Sequence, residues 1–159
     1  MRTSSRSRGS GSLLSRRGRR RPTKPVQDSP LRFVVDTHAL WWYLKYPERL
    51  PAAAGAIFRL AETGHATIIV PAIAIAELYF LSVRVNEPFS PTDLLEDLDS
   101  ASGIHLSDLG RAQLEMLDAF PEIPEMHDRL IAAESMVFDA PVVTRDETLS
   151  RSSQVETVW

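Results

Sequence analysis

From Leu31 onward, short runs of apolar, largely β-branched residues alternate with segments of helical periodicity. That alternation restricts the chain to a parallel sheet covered by helices, because parallel strands need crossovers and an apolar strand needs cover on both faces. The runs Arg32–Asp36 (RFVVD), Ala66–Val70, Gly103–Leu106, Pro141–Thr144 and Val155–Trp159 read as strands, the last at an edge. Between them the periodicity predicts a helix after Asp36 through Leu44, one over Pro51–Thr63 and one over Ala72–Val85. Further helices are predicted over Pro91–Ser100, Asp108–Phe120 and His127–Phe138, with a short turn at Asp146–Ser150. Pro51 and Pro91 suit first helical turns, Ser90 suits an N-cap and Gly64 a C-terminal stop. No internal repeat is visible, and each helix is short enough to be one crossover.

Charge divides the chain. Residues 1–30 hold nine Arg or Lys against one acid, Asp28, whereas residues 31–159 hold nine against twenty, so a formal net charge of −3 hides a basic arm and an acidic body. The arm is Ser, Arg, Gly and Pro with almost nothing to bury, and a segment of that composition is expected to stay disordered. It reads as a solvated leader or as a translation start placed too early, with Val26 or Leu31 nearer the true beginning. A phosphate-binding arm using Arg16–Arg21, or an organellar transit segment, are the other readings. Residues 31–159 have the length and apolar content of one domain. The 159 residues include no cysteine, which excludes disulfides, thiolate metal sites and a cysteine nucleophile and fits a reducing, cytoplasmic setting. No apolar run approaches the roughly 20 residues of a membrane span.

Ligands of open α/β sheets collect beyond the carboxyl ends of the strands. Asp36 ends the first run and Asp146 lies two residues past Val142-Val143-Thr144; taken singly, each is adequately explained as a helix cap. Glu77 is less easily dismissed, because its helical neighbours Ile73, Ala74, Phe80 and Leu81 are apolar, and an ionised group on such a face needs a partner or a cation. A register in which it reaches the helix edge, or pairing with Arg84, is the ordinary alternative. Asp128 opens an apolar-periodic helix, where capping is again the ordinary role. Together, however, Asp36, Glu77, Asp128 and Asp146 form an oxygen-only set with no lysine nearby, suited to Mg²⁺ or Mn²⁺. An ion held there can orient a water, lower its pKa and neutralise charge on a phosphodiester oxygen. Thr37 and Thr144 are placed to hold these carboxylates by hydrogen bonds.

The segments VVDTHALWWYL, IAIAELYFL, IPEMHDRLIAAES, VVTRDETL and VETVW together resemble PIN-domain ribonucleases of the VapC-like toxin branch, over residues 31–159 and not the arm. The resemblance implies a three-layer α/β/α sandwich with a central, mostly parallel sheet of four or five strands. It implies a metal-dependent endoribonuclease, the toxin of a toxin–antitoxin pair, whose acidic quartet maps onto Asp36, Glu77, Asp128 and Asp146. It also implies an antitoxin partner and self-association as a homodimer. The basic arm is a departure from that pattern.

Other residues carry weaker expectations. The four histidines are too far apart in sequence for a helical zinc pair. His38 is a possible RNA contact, although packing or capping suits both His38 and His127, since a neighbour on a helix points about 100° away. Arg129 and Arg145 flank two of the acids and are possible phosphate contacts, or ordinary surface ion-pair partners. One helix cannot bury all of Trp41, Trp42 and Tyr43 in one core, so Trp41 and Trp42 are candidates for a partner interface. Two further functions compete. A non-catalytic acidic module docking a basic segment suits the body's charge but has no need of Glu77 on an apolar face. Phosphoryl transfer through an aspartyl intermediate would want a lysine near Asp36, and the only lysines are Lys24 and Lys45. An acidic body binds polyanions weakly, so selection of RNA by shape is expected over bulk degradation.

Overall fold

A computed structural model describes residues 30–159; the expectation for the arm falls outside these residues. Five strands, β1 (Leu31–Val35), β2 (Ala66–Pro71), β3 (Ile104–Ser107), β4 (Val142–Val143) and β5 (Thr157–Val158), form one parallel sheet in the order β3-β2-β1-β4-β5. Helices α1 (Thr37–Lys45) and α2 (Ala52–Glu62) connect β1 to β2. Helices α3 (Ala72–Arg84) and α4 (Pro91–Ser100) connect β2 to β3. The chain then returns across β1 through α5 (Arg111–Glu115) and α6 (Met126–Phe138) to place β4 on its other side, and α7 (Glu147–Arg151) leads to β5. Strand order therefore reverses between β1 and β4. Pairing is denser on one side of this switch point: β1 and β2, and β2 and β3, are each in register at four positions, whereas β1 with β4 and β4 with β5 are in register at two.

Alternation along the strands produces the layers. Val35, Ile68, Val70 and Val143 face a core with Leu40, Ile57, Phe58, Leu78 and Leu98 from α1–α4. Val34, Ile69 and Val142 face a second core with Phe120, Ile123, Ile131, Ala132 and Leu149. The sandwich expected from the sequence is thus the observed one, with all five strands parallel.

Three local expectations differ. The helix expected over Asp108–Phe120 is only the five residues of α5 followed by a 3-10 turn at Leu117–Ala119. Phe120 leaves helical geometry, and Phe120 and Ile123 are both fully buried. At roughly 1.5–3 kcal/mol for each such side chain, their burial outweighs the continuation of a mostly exposed short helix. The turn at Asp146–Ser150 is the helix α7. The edge strand expected over Val155–Trp159 pairs only at Thr157–Val158. Gly64 stops α2 as expected: at φ +77° its N–H bonds Ala61 O (2.9 Å) while His65 N–H bonds Leu60 O (2.8 Å), a two-bond closure that satisfies the last carbonyls. Gly103 is needed for a different reason. At φ +74°, a Cβ there would lie 2.3 Å from Ala61 O.

Candidate active site

Asp36 leaves β1 at the switch point and caps α1, its Oδ1 accepting from Ala39 N–H at 2.6 Å. Its Oδ2 accepts from the Thr144 hydroxyl, and both residues are buried. Thr144 Oγ1 in turn accepts from Asp146 N–H at 2.9 Å. One buried hydroxyl therefore ties the end of β1 to the loop after β4. Asp146 caps α7, its Oδ1 accepting from Thr148 N–H (2.7 Å) and Leu149 N–H (3.0 Å). Capping and a ligand role are compatible, because an ionised carboxylate has about four lone-pair sites and these caps occupy only some of them.

Glu77 projects from the middle of α3. Its Oε2 accepts from Thr37 Oγ1 at 2.6 Å, and its Oε1 lies 3.0 Å from His127 Nδ1, so the residue bridges α1 and α6. Arg84 makes no ion pair with it among the described residues. The apolar face read from the sequence is the wall of an open cleft of about 400 Å³, lined by Ile73, Ala76, Phe80 and Leu81 with Thr37, His38, Glu77, Arg84 and His127. Phe80 is 71% exposed, whereas Ala74 is fully buried and Ile73 and Leu81 also pack against the two cores, so the face runs from core to open cleft. His127 is the residue the sequence reading missed. Its angular separation from Asp128 is real, but that same separation aims it at an acid on another helix.

Asp128 sits in the first turn of α6 and, contrary to the capping alternative, takes no backbone hydrogen bond there. Burial pushes its carboxyl up to about 6, with the charges of Asp146, Glu77, Asp36 and Glu125 adding to the rise. Burial also raises Asp36 above the usual carboxylate range; the bonds from Thr144 and Ala39 and the nearby His38 oppose that, and Asp146 reinforces it. Asp128 therefore lies within electrostatic reach of Asp146, Glu77 and Asp36, and Asp36 within reach of Asp146. The ion pairs among the described residues are Arg111–Glu115, Arg151–Glu147 and His127–Glu77, and none neutralises Asp36, Asp128 or Asp146. This donor set fits a hard divalent cation in charge and atom type. No group of three or more His, Asp or Glu among the described residues is arranged to hold an ion as the side chains stand, so enclosing one requires side-chain movement.

The remaining candidates separate. His38 is exposed and lines both the cleft beside Glu77 and a second one of about 320 Å³ with Asp36, Arg145, Asp146, Glu147 and Thr148. Arg145 is exposed in that second cleft. Arg129 is partly committed to the chain itself: its Nε donates to Ile123 O and its Nη2 to Pro121 O (3.4 Å), clasping the loop before α6 and leaving its other N–H donors unassigned. Trp41 does not offer an interface either, being 6% exposed and packed in the core of α1–α4. The aromatic triplet is absorbed within the chain. Tyr43 stacks on Phe58 with centroids 4.1 Å apart, and Trp42 packs against Trp159 at 5.4 Å.

Fold and acids together define an α/β domain with a carboxylate-lined site at the switch point of its sheet. The PIN domain family matches residues 33–154, and the chain belongs to that family. Among solved structures, VapBC2 from Rickettsia felis, bound to a DNA fragment from their promoter, is similar at a TM-score of 0.60 and 17% identity, covering 80% of this chain and 98% of that one. DNA-bound VapBC from Salmonella typhimurium gives 0.60 and 18% over 80% and 97%. A toxin–antitoxin complex from Klebsiella pneumoniae gives 0.55 and 13% over 79% and 95%. At these identities the likeness is one of fold. No curated protein sequence matches the chain. No helix among the described residues is long and apolar enough to cross a membrane.

Proposed function

We propose that this PIN domain is a metal-dependent endoribonuclease that hydrolyses RNA phosphodiester bonds, and that it is the toxin of a cytoplasmic toxin–antitoxin pair. What supports the reading is the family match together with Asp36 and Asp146 in one cleft at the switch point of the sheet, Glu77 in the neighbouring cleft, His38 lining both, and the charges of all three acids felt by Asp128. Asp36, Asp128, Asp146 and Glu77 would hold Mg²⁺ or Mn²⁺, which when bound would supply a water of lowered pKa and offset charge on the phosphoryl oxygens. The chain's own contribution is positioning. Thr144 fixes the Asp36 carboxylate and, through Asp146 N–H, the loop that presents Asp146. Thr37 and His127 hold both oxygens of Glu77, which sets its rotamer before any ligand arrives. Incubating the purified chain with structured RNA and Mn²⁺ or Mg²⁺ is expected to give discrete fragments, and chelator to abolish them. Undiminished cleavage in chelator overturns the metal role.

The partner reading draws on the fold shared with complexes described as VapBC and as toxin–antitoxin. A short antitoxin laid over the cleft beside Glu77 would find an apolar wall at Phe80 and Leu81 and could direct a basic side chain at the acids. Self-association as a homodimer is part of the same proposal. Co-expression with the product of the adjacent reading frame is expected to yield a complex in which cleavage is suppressed. Inhibition that survives replacement of every basic residue in the partner's tail removes the electrostatic half of this proposal.

A further inference from the structure

Arg145 stands between Thr144 and Asp146, in a cleft with three carboxylates, Asp36, Asp146 and Glu147. A flexible cation so placed would ordinarily fold onto one of them, yet among the described residues Arg145 forms no ion pair. Its guanidinium lies over the Trp42 ring instead, 4.9 Å from the centroid. Trp42 is itself braced by Trp159, the ring centroids 5.4 Å apart and tilted by 49°. The three residues arrive from the loop after β4, from α1 and from beyond β5. Trp42 is partly buried against the core, which fixes the platform, and Trp159 covers it.

A guanidinium held over a ring by cation–π attraction is not consumed by an ion pair, and its fork of N–H donors matches two oxygens of a phosphate. Cation–π attraction of this kind competes with a solvent-exposed ion pair, which is worth little. The stack therefore holds a positive charge beside the acids without letting them neutralise it. An acidic cleft otherwise repels a polyanion, so a fixed cation at its rim supplies a handle that the carboxylates cannot.

We propose that Arg145 is the phosphate anchor of this cleft, taking a phosphate of a single RNA strand next to the acid set, and that Trp159, acting through Trp42, is its positioning residue. This rests on the ribonuclease reading given above. The test measures binding of a fluorescently labelled single-stranded oligoribonucleotide to the full chain in the Asp36→Asn background with Mg²⁺, across a range of salt. Arg145→Ala is expected to weaken binding about tenfold and to flatten the log–log salt dependence by about 0.7, one phosphate contact's worth on a single strand. Trp159→Ala keeps the charge, so it is expected to weaken binding about threefold with a smaller change of slope, and Trp159→Phe to restore it. In the active background Arg145→Ala should raise KM more than it lowers kcat.

Equal affinity and slope for Arg145→Ala and its parent overturn the anchor. A full Arg145→Ala effect with none from Trp159→Ala overturns the bracing. A parent that binds no RNA at all overturns the ribonuclease reading on which the inference rests, and is distinguished from the other two by the parent measurement alone. Melting curves of each variant separate unfolding from lost contact, and Trp159→Phe carries the test if Trp159→Ala does not fold.

Discussion

Asp36→Asn is expected to reduce RNA cleavage by at least about a hundredfold, since even residues that merely support a metal ligand cost 10–100-fold when removed. The same substitution is expected to leave the fold in place. Asparagine caps helices as well as aspartate does, so the bond from Ala39 N–H survives. The bond from Thr144 is altered, because an amide nitrogen cannot accept from its hydroxyl, but a buried charge held unfavourably is also removed. These effects oppose, and the melting temperature should move by only a few degrees either way. Cleavage assays beside thermal melts check both halves. Cleavage at the wild-type rate by a folded Asp36→Asn protein would remove Asp36 from the chemistry and with it the assignment of the quartet. A collapse of the melting temperature would make the residue structural first.

Without metal, the protein is expected to become more stable as pH falls from about 7.5 to about 5, the reverse of the usual acid trend. Asp128 has a folded pKa of about 6 against an ordinary value of 3.8, and Asp36 is raised as well. Between those values the folded state binds more protons than the unfolded one, so stability falls as pH rises through 6. The rise of Asp128 from 3.8 to about 6 corresponds to about 3 kcal/mol, but the group is half exposed, and solvent screening reduces the expected contribution to about 1 kcal/mol. Glu122, whose pKa is lowered by the Ser152 hydroxyl, acts in the opposite sense only below its ordinary value of 4.5, outside this window. Saturating Mn²⁺ should reverse the trend, because it binds the deprotonated acids, and should add roughly 2.7 kcal/mol at a hundredfold excess over Kd. Asp128→Asn removes the charge, so its melting temperature in chelator should be flatter with pH and higher than wild type at pH 7.5. Parallel wild-type and Asp128→Asn curves from pH 5 to 7.5 would contradict the raised pKa that burial and the neighbouring acids give Asp128.

The sheet and its acids were legible because each is a local pattern. β-Branched runs mark strands wherever they occur, and an acid just past such a run is at a strand end whatever the rest of the chain does. Glu77 was legible for a different reason than the structure gives. Its apolar neighbours run from the core at Ala74 to the open cleft at Phe80, and periodicity alone does not distinguish the two. The long helix expected over Asp108–Phe120 failed because the burial of Phe120 and Ile123 is a tertiary choice that overrides local periodicity. His127 and the pairing of Trp42 with Trp159 were not legible, since each depends on which distant element arrives alongside. An aromatic triplet says that one ring must find company outside a single helix face. It does not say whether that company is another protein or the far end of the same chain.

The uneven lacing of the sheet has a thermodynamic consequence. The half containing β2 and β3 is joined to β1 by long ladders, while β4 and β5 hang on two register positions each. Amide protons of Val142, Val143 and Thr144 should therefore exchange through a cheaper, sub-global opening than those of Ile68–Val70. Asp36 belongs to the firmly laced half and Asp146 to the loose one, with Thr144 as the buried link between them. Were Asp36 and Asp146 to share the proposed ion, it would act as a cross-brace over that seam, and the most easily opened unit of the domain would open only when the ion leaves.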